Sequence, residues 1–301
     1  MERIKRIAVG IDYSPASADA LKQAVRMAAG GEAEVMALHV FEEGVVHDLQ
    51  QQVQIEEEPL LDGARRRLAD FIHARVGESP VSAEVVIGHP FEALLQFVER
   101  GAADFLMLGV RGQEHPNRAT GELAVKCVRK APLPVMLVPE GGSGAYRTVV
   151  ACIDFSEMSA VVARTAVEMA RADGAAVRFV HVYRPLGLIL GSMEQYMPAY
   201  PLLPEDEMVA GMLRELDAFV AGLDVDLGGV DYETTILDAL NVGGAIHDFV
   251  KEKEDCLVVL GTVGRTGMKR FLMGTTAEKV VRGTPCAILA LKPEGFRFSV
   301  G

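Results

Sequence analysis

Hydrophobic and polar positions alternate between two periods along the chain. Residues 7–11 (Ile-Ala-Val-Gly-Ile) form a short continuous apolar run, the pattern of a parallel strand buried on both faces. Ser14-Pro15 then supplies a capping residue and a first-turn proline. Ala18, Leu21, Val25 and Ala28 follow at helical spacing until Gly30-Gly31, which predicts a helix and its end. The alternation continues with a strand over 33–41, a long connection holding a helix over 60–75, and a strand over 81–87. A helix over 91–100, a strand over 104–108, a helix over 121–130 and a strand over 134–138 complete the series. This β-α-β-α-β-α-β-α-β order predicts a mostly parallel sheet with helices on both faces.

The pattern then repeats. RIAVGIDYS (6–14) returns as TVVACIDFS (148–156), and VMALHV (35–40) as VRFVHV (177–182), both at an offset of 142. FLMLGVRG (105–112) returns as LVVLGTVG (257–264) at 152, and PLPVMLVPE (132–140) as PCAILALKP (285–293) at 153. A near-constant offset marks a duplicated unit, with about ten residues added between the second and fourth strands of the second copy. GGSGAYR (141–147) lies between the copies as a short linker. The expected domains are therefore 1–140 and 147–301. Helix residues Ala160, Ala163, Val167 and Ala170 follow Ser156 and end at Gly174, as in the first copy.

Composition narrows the function classes. Thirty Lys and Arg stand against 42 Asp and Glu, a net charge of −12, which disfavours non-specific nucleic-acid binding and a polybasic membrane module. No apolar run reaches spanning length; the greasiest stretch, from Pro185 to Pro204, is broken by Gly, Glu, Gln and Pro. The start of the sequence enters a strand-like run without a secretory signal core. Cys127, Cys152, Cys256 and Cys286 show no C-x-x-C pairing, so reduced core thiols in a cytoplasmic protein are expected rather than a disulfide framework or zinc cage.

In a doubly wound sheet, ligands bind beyond the carboxyl ends of the strands. Strand 1 of the second copy ends Cys152-Ile153-Asp154, followed by Ser156, and strand 4 ends Leu260-Gly261, followed by TVGRTGMKRFLMGTT. Gly261, Gly264, Gly267 and Gly274 let the backbone turn tightly or approach a ligand closely, and N–H groups at a helix start form an anion nest. Arg265, Lys269 and Arg270 are candidate counter-charges or solvated loop cations. The glycines read equally well as shaping a loop, with Thr275 beside a helix start, and Asp154 as an Asx residue turning the chain. No P-loop, dinucleotide fingerprint, nucleophile elbow or paired-histidine helix occurs. His181 lacks a partner at ligand spacing, which directs it toward the core or the sheet end rather than a metal.

Gly261-x2-Gly264-x9-Gly274-Thr275, with Asp ending strand 1 and His-Val in strand 2, resembles the universal stress protein family over essentially the whole chain. That resemblance implies two tandem doubly wound five-stranded α/β domains of the adenine nucleotide α-hydrolase-like type, related by a pseudo-twofold. It implies ATP, ADP or AMP in the second domain, with Mg²⁺ a candidate companion. Cys152, Ile153 and Asp154 would meet the adenosine, and Val182 would line the adenine pocket. Leu260, Gly261, Thr262, Val263 and Gly264 would wrap the ribose and first phosphates, and Gly274, Thr275, Thr276 and Ala277 the phosphate tail. The last strands, Val135–Val138 and Ala287–Leu291, would pair with each other. An unnamed regulatory protein is the expected partner, and homodimerisation of whole chains stays open.

The first copy departs from this pattern: its loop reads Gly109-x2-Gly112-x8-Gly121-Glu122, one residue short, with a carboxylate for the hydroxyl. A carboxylate ~4 Å from a phosphate costs on the order of 4 kcal/mol per charge pair at an effective dielectric of ~20, and His115 and Pro116 alter the loop further. Asp12 and Val40 are kept, but the first domain is expected not to bind ATP. The insertion at 184–207, with Met193, Tyr196, Met197 and Tyr200, is a lid, a contact patch or a surface loop. The function expected is a cytoplasmic, non-enzymatic nucleotide-binding stress or regulatory protein. A slow ATPase and a nucleotide-free scaffold are the alternatives. A transferase would need S-G-G-x-D-S or H-x-G-H where Asp12-Tyr13-Ser14 and Asp154-Phe155-Ser156 stand.

Overall fold

The computed structural model describes residues 4–53, 56–110, 120–185, 204–264 and 273–296. In the first half, β1 (Arg6–Ile11) leads into α1 (Pro15–Ala29), then β2 (Glu34–Glu42), α2 (Glu43–Val53) and α3 (Glu57–Val76). β3 (Val81–Gly88), α4 (Pro90–Phe97), β4 (Phe105–Gly109), α5 (Glu122–Lys130) and β5 (Val135–Val138) follow. The second half repeats the order: β6 (Thr148–Cys152), α6 (Glu157–Asp173), β7 (Ala176–Tyr183), α7 (Glu205–Ala221) and β8 (Tyr232–Asp238). It closes with α8 (Val242–Val250), β9 (Cys256–Gly261), α9 (Thr275–Gly283) and β10 (Ala287–Leu291).

All strands join one sheet in the order β3-β2-β1-β4-β5-β10-β9-β6-β7-β8. Each half is parallel and doubly wound, and the halves meet where β5 and β10 run antiparallel, with Leu137 opposite Ile288 and Met136 opposite Leu289. The two apolar edges thus cover each other, and the mirrored strand order gives the pseudo-twofold. Four residues of β5 are fully buried. A β-edge that would otherwise invite pairing with another chain is closed inside this one.

Two apolar layers sandwich the sheet, and both run across the junction. Leu21 of α1, Leu68 of α3, Val162 of α6 and Leu216 of α7 belong to one layer; Leu95 of α4, Val128 of α5, Ile246 of α8 and Val280 of α9 belong to the other. The linker is fastened to α1 and α6. Asp19 accepts hydrogen bonds from Gly141 N (2.7 Å) and Ser143 Oγ (3.0 Å). The Asp173 carboxylate, 4% exposed, pairs bidentately with Arg26 and also accepts from Tyr146 N at 2.8 Å.

Two features differ from the sequence expectation. Residues 43–53 form α2 inside what reads as a long connection, and α3 starts earlier than 60. Ser14 caps α1 by accepting from Ser17 N at 3.1 Å, whereas Ser156 at the same place before α6 makes no side-chain cap. Its hydroxyl is drawn to Asp154 instead.

Candidate functional site: a cleft at the switch point of the second half

β6 has β9 on one side and β7 on the other, so the chain direction of crossing reverses there and the carboxyl ends of β6 and β9 leave a crevice. A cavity of about 390 Å³ opens at this place, within the ~300–1,000 Å³ of small-molecule sites. Buried Val162, Val180, Ile246, Leu260 and Val280 make its apolar walls. Asp154, Ser156, Ser159, His181 and two glycine stretches supply its polar groups.

The turn after β6 fixes Asp154. Its Oδ1 accepts from Ser156 N (3.0 Å), Ser156 Oγ (2.5 Å) and Ser159 Oγ (2.9 Å), while its N–H donates to Ser159 Oγ at 3.1 Å. Asp154 is therefore the turn-forming Asx residue and a cleft-lining group at once. Phe155 next to it adopts φ 61°, a left-handed conformation that costs a non-glycine residue roughly 1–2 kcal/mol. Its ring is held 4.8 Å from His181 and edge-on to Phe219 at 5.9 Å. The first half repeats this device: Tyr13 has φ 64° and its ring lies 4.6 Å from His39. His181 Nδ1 stands 2.8 Å from the Ile153 carbonyl, and since a carbonyl only accepts, that nitrogen carries the proton. The histidine lines the cleft wall.

The glycine loop is closed by Thr262. Its N–H and hydroxyl both donate to the Leu291 carbonyl (3.0 and 3.1 Å), and its own carbonyl accepts from Gly274 N at 2.8 Å. The hydroxyl thus pins the loop to β10, a different task from facing ribose. Two glycines make the cradle possible. A Cβ on Gly264 would stand 2.8 Å from Asp154 Oδ2, and one on Gly261 would stand 3.1 Å from Met158 Cβ. Gly274 precedes the first residue of α9, so Thr275 and Thr276, both exposed, sit in its first turn beside the helix's N–H groups. Burial pushes the Cys152 thiol up to about 12. It is a neutral wall group, not a nucleophile.

The thirteen residues that the resemblance assigns to the ligand, from Cys152 to Ala277, all border this cavity. Sequence reasoning missed Met158, Ser159, Val162, Val180, Val242, Ile246 and Val280 as lining residues. The apolar ones stand at helical or strand spacing and give the same signal as core positions, while Ser159 is an ordinary helix-start serine until its hydroxyl meets Asp154. Arg265, Gly267, Lys269 and Arg270 lie outside the described residues, as do Gly112, His115, Pro116 and residues 193–200 of the insertion.

The equivalent strand ends of the first half are closely packed among the described residues. A Cβ on Gly10, the counterpart of Cys152, would lie 2.5 Å from Leu108 Cδ2. A Cβ on Gly109 would lie 2.7 Å from Ser17 N, so α1 starts hard against that strand end. Glu122 begins α5 and meets Arg282 of α9 at 3.2 Å, so the helix start already carries an anion.

A tandem pair of doubly wound units, one holding a glycine-rimmed crevice at its switch point, is the class of protein that this geometry defines. The profile of the Universal stress protein family matches residues 3–139 and again 145–292, and the chain belongs to that family. Universal stress protein E of Escherichia coli (strain K12) is 27% identical over 233 residues, spanning 73% of this chain and 71% of that protein. Universal stress protein MJ0531 of Methanocaldococcus jannaschii is 27% identical over 152 residues, 50% of this chain and 85% of that protein. The crystal structure of a universal stress protein from Archaeoglobus fulgidus has a TM-score of 0.60 at 16% identity, covering 95% of this chain and 96% of that one. That likeness concerns the fold. Among the described residues no helix is long and apolar enough to cross a membrane.

Proposed function

We propose that the second domain binds an adenine nucleotide, ATP foremost, and that the chain acts as a cytoplasmic stress-response or regulatory protein whose contacts depend on that ligand. The observation that carries this reading is the joining of an apolar wall to an anion nest in one cleft. Val162, Val180, Val182 and Ile246 offer a flat base a dry surface, and Asp154 offers a fixed carboxylate to sugar hydroxyls. The N–H groups and hydroxyls at the start of α9 suit phosphates. Gly261 and Gly264 leave room for the backbone to close on them.

The cleft is suited to holding a ligand more than to turning it over. Asp154 Oδ1 already accepts from two serines, Cys152 is protonated, and His181 is tied to Ile153. Among the described residues no three His, Cys, Asp or Glu are grouped to hold a metal ion, so a Mg²⁺ would arrive on the phosphates. Hydrolysis, if measured, is expected to be slow. The first domain is proposed to bind no nucleotide, because Glu122, paired with Arg282, puts a carboxylate at the helix start where the second domain has Thr275.

Isothermal titration of the whole chain with ATP, ADP, AMP and adenosine tests the reading. Saturable binding that is lost in Gly274→Glu supports it. Heat equal to dilution for every ligand refutes it.

A further inference from the structure

The amino end of α9 borders the cleft, but its flank belongs to the other domain. Glu278, in the first turn, pairs with Arg129 of α5 (Nη2 to Oε1, 2.7 Å) and with Arg282 of its own helix (3.1 Å). Arg282 reaches Glu122 of α5 at 3.2 Å, and Thr120 Oγ1 donates to the Val281 carbonyl at 2.7 Å. The helix that offers its N–H groups to the cleft is thus fastened along its length to the first domain.

The sign of Glu278 makes this attachment matter. A carboxylate in a helix's first turn is drawn toward the same positive end that would attract a ligand anion. Glu278 nonetheless stays out of the cleft lining, on the α5 side, where two guanidinium groups hold it. Arg282 alone is shared with Glu122, so Arg129 is the cation committed to Glu278 from across the domain junction.

We propose that Arg129 is a positioning residue for the neighbouring domain's anion site: it holds the Glu278 carboxylate on the α5 flank, so that α9 presents donors and no competing anion to a ligand phosphate. The first domain, with Glu122 at its own helix start, then sets the affinity of the second for phosphorylated ligands. This rests on the nucleotide reading of the cleft and adds a residue and a domain to it.

The test is a double-mutant cycle on the full chain, titrated with ATP and with adenosine. Arg129→Gln is expected to weaken ATP binding about five-fold, the low end of ordinary inter-site coupling, and to leave adenosine binding unchanged. Arg129→Lys restores most of the loss. In a Glu278→Gln background, which has no carboxylate to hold, the same Arg129→Gln change is expected to matter by less than about two-fold. An unchanged ATP affinity in Arg129→Gln overturns the proposal, as does an equal loss for adenosine or an undiminished loss in the Glu278→Gln background. Wild-type protein that binds neither ligand removes the nucleotide reading and this proposal together, whereas failure of the cycle alone leaves the nucleotide reading standing.

Discussion

Thr275→Glu places in the second domain the residue that the first domain carries at the same point, since Thr275 begins α9 as Glu122 begins α5. In the first domain that carboxylate is neutralised by Arg282 at 3.2 Å. The pseudo-twofold counterpart of Arg282 is Arg129, and Arg129 already holds Glu278 at 2.7 Å. The introduced charge would therefore face the ligand without a dedicated partner. Two unit charges ~5 Å apart repel by about 3 kcal/mol at an effective dielectric of ~20. Thr275 is exposed, so solvent reduces this to about 2 kcal/mol, or roughly a 30-fold loss of ATP affinity. Adenosine, which has no phosphate, should bind as before. The fold should not suffer, because an acid in the first turn favours a helix by about 0.3–1 kcal/mol. Titration calorimetry with ATP and adenosine, with a thermal melt beside it, reads all three quantities. ATP binding within about three-fold of wild type in a folded Thr275→Glu protein would refute the placement of phosphate at the α9 start.

Three further outcomes follow from particular contacts. Asp173→Asn should cost about 2 kcal/mol, less than the ~3–5 kcal/mol for breaking a fully buried pair because Arg26 is 30% exposed, since Arg26 and Tyr146 N both lose their acceptor charge; a urea-unfolding difference below ~0.5 kcal/mol counts against the junction as described. Gly264→Ala should weaken ligand binding about ten-fold through overpacking, because its Cβ would press on Asp154 Oδ2 at 2.8 Å; equal affinities by calorimetry would show that the carboxylate can move aside. Burial lowers Lys292 to about 7 while its Nζ donates to the Val128 and Arg129 carbonyls. Between pH ~7 and ~9 the unfolded chain keeps that proton and the folded one releases it, so stability should rise by on the order of 1 kcal/mol per pH unit. Above ~9 the trend should reverse, as Cys127 and Cys152, pushed up to about 12 by burial, ionise first in the unfolded chain. Urea unfolding at pH 7, 8 and 9 should show a slope that Lys292→Met flattens; an identical slope removes Lys292 as its source.

Much of this molecule was legible before its structure because duplication states each element twice. Apolar runs at 7–11 and 149–153 read as buried strands, and the glycine spacing picked out Gly261, Gly264 and Gly274, which line the cleft. The apolar runs at 135–138 and 287–291 marked two edges in need of cover, and their pairing with each other, implied by the family resemblance, is the pairing of β5 with β10. Residues 43–53 place Val45, Val46, Leu49 and Val53 at helical spacing, so α2 was legible and is simply absent from the expectation of a long connection there. What else escaped notice had physical reasons. The left-handed turns at Tyr13 and Phe155 involve residue types that ordinarily avoid that region, and they are held by ring contacts with His39 and Phe71 and with His181 and Phe219. Ser156 reads as a helix cap until the carboxylate of Asp154 competes for its hydroxyl. Thr262 borders the cleft as expected, but that its hydroxyl donates to Leu291 is a tertiary contact no local pattern shows. Glu122 was read as an obstacle to phosphate, yet its partner Arg282 comes from a helix 160 residues further along the chain, a pairing that local spacing cannot reveal.

Native mass spectrometry of the intact chain in the presence of ATP puts the central claim most directly. A glycine-cradled cleft in the second domain, with Glu122 in place of the hydroxyl at the first domain's helix start, predicts a single adduct of one nucleotide per chain that disappears in Gly274→Glu. A spectrum with no adduct, or with two of equal strength, contradicts it.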